Sequence, residues 1–293
     1  MSKRHASPSP RVVGLLFCAV STVLALAASA RAELYGIGRG LNADTFYQIN
    51  TSTGAATPLF SFSNVGTTAT FHLAYNPVTN RFVTVQMNGT TSSTLIEINA
   101  LGLTASSVVH GIPTSAFEGI EYSSSLGGLV VSYGANTNVT GRLALLDNGY
   151  NLINNNPSTG LPDGDTLFLD GAGGLNVLDS NNPYNGWQRN LITNPFGATS
   201  INVNGAQNPF LATDADAAWK GDEGNLFLTR TTSLARIVGP NNIFAVGPYG
   251  GGVNITGIAV GPPIPEPGSL ALVAIGVVAT ALRRRASSAT RTR

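Results

Sequence analysis

The chain is short of the residues on which most enzyme chemistry is built. It has one cysteine, Cys18, and three histidines among 293 residues. Cys18 lies in an apolar N-terminal stretch, so the body beyond it has no disulfide and no thiol to draw on, and its fold rests on packing alone. Phe17 is too large for the residue before a lipoprotein cysteine, which argues against a lipid anchor there. His72 and His110 each stand in or beside an apolar run with no second His or Cys at ligand spacing, so nothing points to zinc. No serine occupies a Gly-x-Ser-x-Gly turn, and a hydrolase elbow has no support. Charged residues make up only 11% of the chain, and strong helix formers are sparse. What is abundant is Gly, Asn, Thr and Ser, the composition of many short strands joined by tight turns.

The whole-chain charge of +1 hides a segregation. Lys3, Arg4, Arg11 and Arg31 lie at the N-terminal end, and Arg283, Arg284, Arg285, Arg291 and Arg293 at the C-terminal end. Between 33 and 262 there are seven basic residues against 14 acidic ones, a formal charge of −7. An acidic body argues against nucleic acid as a partner, because phosphate binding needs a clustered basic face.

Strand-like runs recur with a regular period. FHLAYNP from Phe71, RFVTVQ from Arg81, TLIEIN from Thr94 and Ala105 to His110 form one set of four. FEGIEYS opens a second at Phe117, followed by GLVVSY and RLALL. A looser third set starts near 165, and a fourth near Thr213 (TDADAAW). Four-stranded units at about 46 to 48 residues are the signature of a β-propeller. NITGIAV (from Asn254) reads as an opening strand with no partners after it, and LYGIG, TFYQIN and Ala55 to Phe60 as three strands without an opener. Joined, they close the ring with one blade drawn from both ends, hiding edges that an open ring would expose. The expected fold is therefore all-β, a propeller-like body of about five four-stranded blades with N/C-terminal blade closure. A sixth blade could lie between 147 and 212, and a two-sheet β-sandwich is the alternative.

Two address-like segments flank this body. Lys3, Arg4 and Arg11 precede an apolar stretch from Val12 to Ala28, and Ala30-Arg31-Ala32 supplies a small-x-small cleavage pattern before Glu33. This reads as a signal peptide over 1–32, handled by the Sec translocon and signal peptidase. At the other end, Pro265-Glu266-Pro267 precedes an apolar run over 268–282, then Arg283-Arg284-Arg285, in a tail covering 263–293. Fifteen residues of helix cover roughly 22 Å, short of a hydrocarbon core of about 30 Å. The arginines favour a cytoplasmic end with the body outside. The tail resembles the PEP-CTERM sorting signal that exosortases of Gram-negative-type cells recognise on exported proteins. That resemblance implies an exosortase-type partner, a transient stay in the inner membrane through the C-terminal helix, and delivery to the cell surface or extracellular matrix. A plain membrane anchor is the alternative.

Two carboxylate clusters fall in the body: Asp163, Asp165 and Asp170, and Asp214, Asp216, Asp222 and Glu223. Hard oxygen ligands on Gly-rich loops suit calcium, with Asp163, Asp165, Asp170, Asp214 and Asp216 the candidates. The spacing does not match an EF-hand, and Asp also caps turns with no ion bound. No other cofactor is expected. Tyr184 and Trp187 in an Asn-rich loop suit either burial or sugar stacking, and Trp219 reads as a buried residue. The reading that follows is a non-enzymatic exported scaffold or carbohydrate-associated adhesion protein, with exopolysaccharide as a candidate partner. The alternative is a secreted polysaccharide hydrolase or lyase using acidic residues at the propeller axis.

Overall fold

The fold was read from a computed structural model. It describes residues 31–39, 43–62, 71–87, 93–110, 112, 116–134, 142–156, 166–179, 187–193, 195–196, 201–203, 207–208, 216–230, 232–238 and 242–264. In chain order the strands are β1 (Glu33–Arg39), β2 (Asp44–Ile49), β3 (Ala56–Phe62), β4 (Phe71–Asn76), β5 (Arg81–Met87), β6 (Ser93–Asn99) and β7 (Thr104–Val108). Next come β8 (Ala116–Ser123), β9 (Gly128–Gly134), β10 (Arg142–Leu146), β11 (Leu152–Asn156), β12 (Thr166–Leu169), β13 (Leu175–Asp179), β14 (Trp187–Thr193), β15 (Ile201–Val203) and β16 (Gln207–Asn208). The last are β17 (Ala217–Lys220), β18 (Asn225–Arg230), β19 (Ser233–Val238), β20 (Asn242–Pro248) and β21 (Asn254–Gly261).

These strands form five antiparallel sheets: β21-β1-β2-β3, then β4 to β7, β8 to β11, β12 to β15, and β17 to β20. β16 pairs with β14 beyond the β15 pairing, so β15 and β16 are two pieces of one outer strand. The inner strands touch in the order β21, β4, β8, β12, β17 and back to β21. The body is a five-bladed β-propeller, and the sandwich alternative is not what the structure shows. Among its described residues the loose region from 147 to 212 holds no sixth blade: it supplies β11 to the third sheet and β12 to β16 to the fourth. The described part of the fourth repeat's first strand begins at Ala217, inside the TDADAAW run, and residues 213–215 lie outside those described.

The ring closes where the sequence joins its ends. β1 runs antiparallel to β21 in a ladder from Glu33↔Gly261 to Arg39↔Asn254. Glu33, expected as the first residue after cleavage, is the first residue of this strand.

There is no single hydrophobic core but five, one at each seam between blades. Tyr35, Phe46, Leu73 and Phe82 fill one seam; Val83, Phe117, Ile120 and Val131 fill the next. Leu143, Leu167 and Val177 pack the third, Phe168, Leu226 and Leu228 the fourth, and Tyr47, Phe227 and Ile258 the seam that closes the ring. Near the axis the inner strands come close enough that side chains would obstruct them. A Cβ on Gly257 of β21 would lie 3.0 Å from the His72 carbonyl carbon and 3.1 Å from the Leu73 nitrogen of β4.

Several of the strand-to-strand turns carry their own caps. Asn50 Oδ1 accepts from the amides of Ser52 and Thr53, Asn76 Oδ1 from Val78, and Asp147 Oδ1 from Gly149 and Asn151. Side chains of this kind bond their own backbone two residues on and fix the turn without a ligand.

Candidate functional site at the propeller axis

The five inner strands run the same way along the axis, so their C-terminal ends gather on one face. There they enclose an open funnel of about 340 Å³. Its wall takes Tyr75 from β4, Glu121 from β8, Leu169 and Asp170 from the end of β12, Trp219 from β17, and Ala259 and Val260 from β21. Every blade contributes.

Deeper on the axis sits Asp216, 1% exposed and just ahead of β17. Its Oδ2 accepts from the amides of Leu73 (3.1 Å) and Ile258 (2.8 Å). Its Oδ1 accepts from the Ala217 amide (3.0 Å) and the Thr166 hydroxyl (2.8 Å), and its carbonyl from the Thr229 amide. One carboxylate thus ties β4, β12, β17 and β21 together. Thr166 spends its only proton on Asp216, so the 3.0 Å contact to His72 Nδ1 has the ring nitrogen donating. That nitrogen is also 3.4 Å from Asp216 Oδ1. A carboxylate that accepts several such bonds is held in place and has little left for a ligand.

Glu121 has different surroundings. It is half-buried, with the Tyr122 amide donating to Oε1 at 2.9 Å. Burial lifts its carboxyl to about 8, the neighbouring Asp216 charge adds to the rise, and backbone amides of Tyr122 and Leu169 oppose it. Near neutral pH it is therefore mostly a neutral carboxylic acid that can donate a hydrogen bond.

Trp219, read from the sequence as a buried residue, is half-buried. One side packs on the seam of Phe168, Ala217 and Leu226, and its indole also lines the funnel. Its place depends on Gly171, where a Cβ would come within 2.7 Å of the ring. Tyr75, across the funnel, has its ring centred 5.0 Å from that of Phe82 and donates to Asn80 Oδ1 at 2.8 Å.

Of the calcium candidates, Asp170 and Asp216 are described. Asp170 Oδ1 accepts from the amides of Ala172 (3.0 Å) and Gly174 (2.8 Å), and Oδ2 from Asn176 Nδ2 (3.0 Å), so it caps the β12–β13 turn. Among the described residues no three His, Cys, Asp or Glu side chains gather as a metal-binding group. Asp163, Asp165 and Asp214 lie outside the described residues, as do Tyr184 and the side chain of Trp187. Asp222 and Glu223 belong to another arrangement. Both hold the Lys220 ammonium, at 2.8 and 2.9 Å, and Glu223 also accepts from Thr51 of the neighbouring blade at 2.7 Å.

The chain leaves the ring at the rim of the funnel. Tyr35 Oη donates to the Pro262 carbonyl (2.8 Å) and accepts from the Ile264 amide (3.0 Å), and burial pushes its phenol up to about 12. Ile264 packs against the Tyr35 and Phe82 seam. Pro265, Glu266, Pro267, the apolar run 268–282, Arg283, Arg284 and Arg285 lie outside the described residues, as do residues 1–30 with Ala30. No helix among the described residues is long and apolar enough to cross a membrane.

Among solved structures the chain is similar to TolB from Acinetobacter baumannii, at 10% identity and a TM-score of 0.41, covering 79% of this chain and 55% of that one. It is also similar to the Pseudomonas aeruginosa periplasmic gluconolactonase PpgL (12%, TM-score 0.39, covering 80% and 69%). A GH43 glycoside hydrolase engineered for endo-xylanase and exo-arabinofuranosidase activity matches at 11% and 0.41, covering 75% and 54%. The chain thus spans little more than half the length of the TolB and GH43 chains, and likeness at these values assigns no activity. No curated protein matches the chain. The PEP-CTERM protein-sorting motif matches residues 263–285 and marks the chain as an exported protein, sorted to the surface of a Gram-negative-type cell by an exosortase.

Proposed function

We propose that the body is a carbohydrate-binding module that takes the end of a polysaccharide chain into its axial funnel. The observation that carries this reading is the meeting of Trp219, Tyr75 and a neutral Glu121 in one pocket. A ring face offers apolar area to a sugar's C–H face, and a carboxylic acid can donate to or accept from its hydroxyls. About 340 Å³ is at the small end of ligand sites, and Asp216 with its partners fills the axis below. A terminal sugar fits such a blind pocket better than the middle of a chain.

Export begins in this reading with Sec-dependent passage and cleavage after Ala32, and ends with the exosortase acting at Pro265-Glu266-Pro267. Exopolysaccharide of the surface or matrix is the partner. The hydrolase or lyase alternative draws on the same Glu121, whose raised pKa suits a general acid. Hydrolysis by the common routes needs a second carboxylate across the scissile bond. Asp170 and Asp216 are both engaged with backbone amides, which favours binding over turnover.

The test is retention of the purified protein on a polysaccharide array, with reducing-sugar release followed in parallel. Trp219→Ala and Glu121→Ala should each lose retention while circular dichroism stays that of the parent. Retention by both variants equal to the parent's would overturn the site. Sugar release that disappears in Glu121→Gln would establish the enzyme instead.

A further inference from the structure

The funnel and the sorting tail share one face of the propeller. β21 is both the inner strand whose Ala259 and Val260 line the funnel and the last strand before the tail. The chain does not swing free after Gly261. Pro262 and Ile264 are clasped by Tyr35 Oη, and Ile264 is packed on the seam beside them. The held part of the chain thus reaches Ile264, and the apolar run begins at Gly268, with Pro265, Glu266 and Pro267 between them. Three residues span at most about 10 Å even when extended, and two of the three are prolines, which stiffen the link.

We infer that, while residues 268–282 sit in the bilayer, the funnel mouth is held against the membrane surface and shielded from large ligands. Removal of the tail then uncovers it. The shielded face is the one carrying Glu121, Trp219 and Tyr75, and the opposite face stays open to solvent. This rests on the carbohydrate reading only for what the funnel would bind; the shielding follows from the tether alone. Processing by the exosortase would thereby switch on polymer binding as well as release the protein. The acidic body would engage matrix only after leaving the membrane.

The lack of cysteine in the body makes this measurable. Ser124→Cys places a thiol at the funnel wall, where Ser124 is exposed. Val109→Cys places one just past β7, which runs away from the funnel face, at a residue 91% exposed. Both are made in residues 33–293, which start at the expected mature end and so leave out Cys18 and the N-terminal apolar stretch, reconstituted into phosphatidylethanolamine–phosphatidylglycerol vesicles, and treated with a bulky PEG-maleimide. A second version of each carries a Gly-Ser insert of about 20 residues after Ile264, which spans roughly 25 Å on average. The expected result for Ser124→Cys is labelling slowed several-fold with the native tether and restored by the insert. Val109→Cys should label equally fast with either tether. Equal labelling of Ser124→Cys in the two versions would overturn the inference. So would slowing of both thiols alike, or failure of the chain to float with the vesicles. No sugar enters the assay, so a failed glycan array and failed shielding are distinguishable.

Discussion

Asp216 and Glu121 are both carboxylates on one axis, and their fates are opposite. Asp216 is sealed and receives hydrogen bonds from three backbone amides and a hydroxyl, drawn from four of the five inner strands. Glu121 stands at the open end, with burial and the Asp216 charge pushing its pKa up to about 8. The difference shows that depth on the axis is not what makes a carboxyl group available. What counts is how many donors the surrounding strands aim at it. The buried group holds the ring together, and the half-buried one lines the open funnel.

Removing the hub should have the largest effect. Asp216→Ala strands three amides and a hydroxyl in the interior, at about 1–3 kcal/mol for each group left unsatisfied. A loss of several kcal/mol is a large part of a total near 5–15 kcal/mol. Urea denaturation should show it as a collapse of the midpoint. A midpoint within error of the parent would mean that the hub does not hold the blades.

Next comes the mouth. Trp219→Ala should abolish retention on a glycan surface at a stability cost below that of Asp216→Ala, measured by the same denaturation. If it proves the more destabilising of the two, Trp219 is a core residue and the contrast between the two ends fails.

The third prediction concerns pH. Glu121 has its pKa raised on folding from 4.5 to about 8, so the folded state holds the extra proton between those values. Stability from this group should therefore fall as pH rises from roughly 4.5 to 8, and level off above that. Glu121→Gln should remove this slope and be more stable than the parent at a pH of about 9. A melting profile with the same slope in both proteins would show that Glu121 ionises freely.

The smallest effects are at the periphery. Tyr35→Phe removes two hydrogen bonds and should cost about 1–2 kcal/mol in urea, while making the peptide after Gly261 more sensitive to limited proteolysis. Calcium addition should leave the melting temperature of the parent within about 1 °C, because the oxygens of Asp170 and Asp216 are taken and no ligand gain would be linked to folding. A clear rise would move the calcium proposal to Asp163, Asp165 and Asp214.

Much of the ring was legible because each blade repeats one local grammar. An Asn or Asp cap, a tight turn and an alternating strand recur, so β4 to β6, β8 to β10 and the split blade of β21 and β1 to β3 stand close to where pattern alone puts them. β11 and β15 were not legible. LINNN and INV are outer strands with few apolar positions to bury, and their only instruction is the neighbour they pair with. Asp216 read as a turn or calcium residue because its partners, near 73, 166 and 258, are brought to it only by ring closure. Glu121 was missed altogether, although a signal was present. Tyr75, Glu121 and Leu169 each fall four residues after the repeat starts at 71, 117 and 165, and a charge there in an apolar inner strand was the anomaly. Trp219 does not follow the same rule, standing six residues after Thr213.

The pairing of β1 with β21 also sets an order of events. β1 leaves the ribosome first of the described strands and β21 last, so no ring can form until residue 261 has been made. The sorting motif follows within a few residues. A chain cut short before Asn254 lacks both the strand that completes the ring and the tail that addresses it. The arrangement works as a check on completeness: only a chain translated through the sorting motif can present a closed body to the sorting machinery.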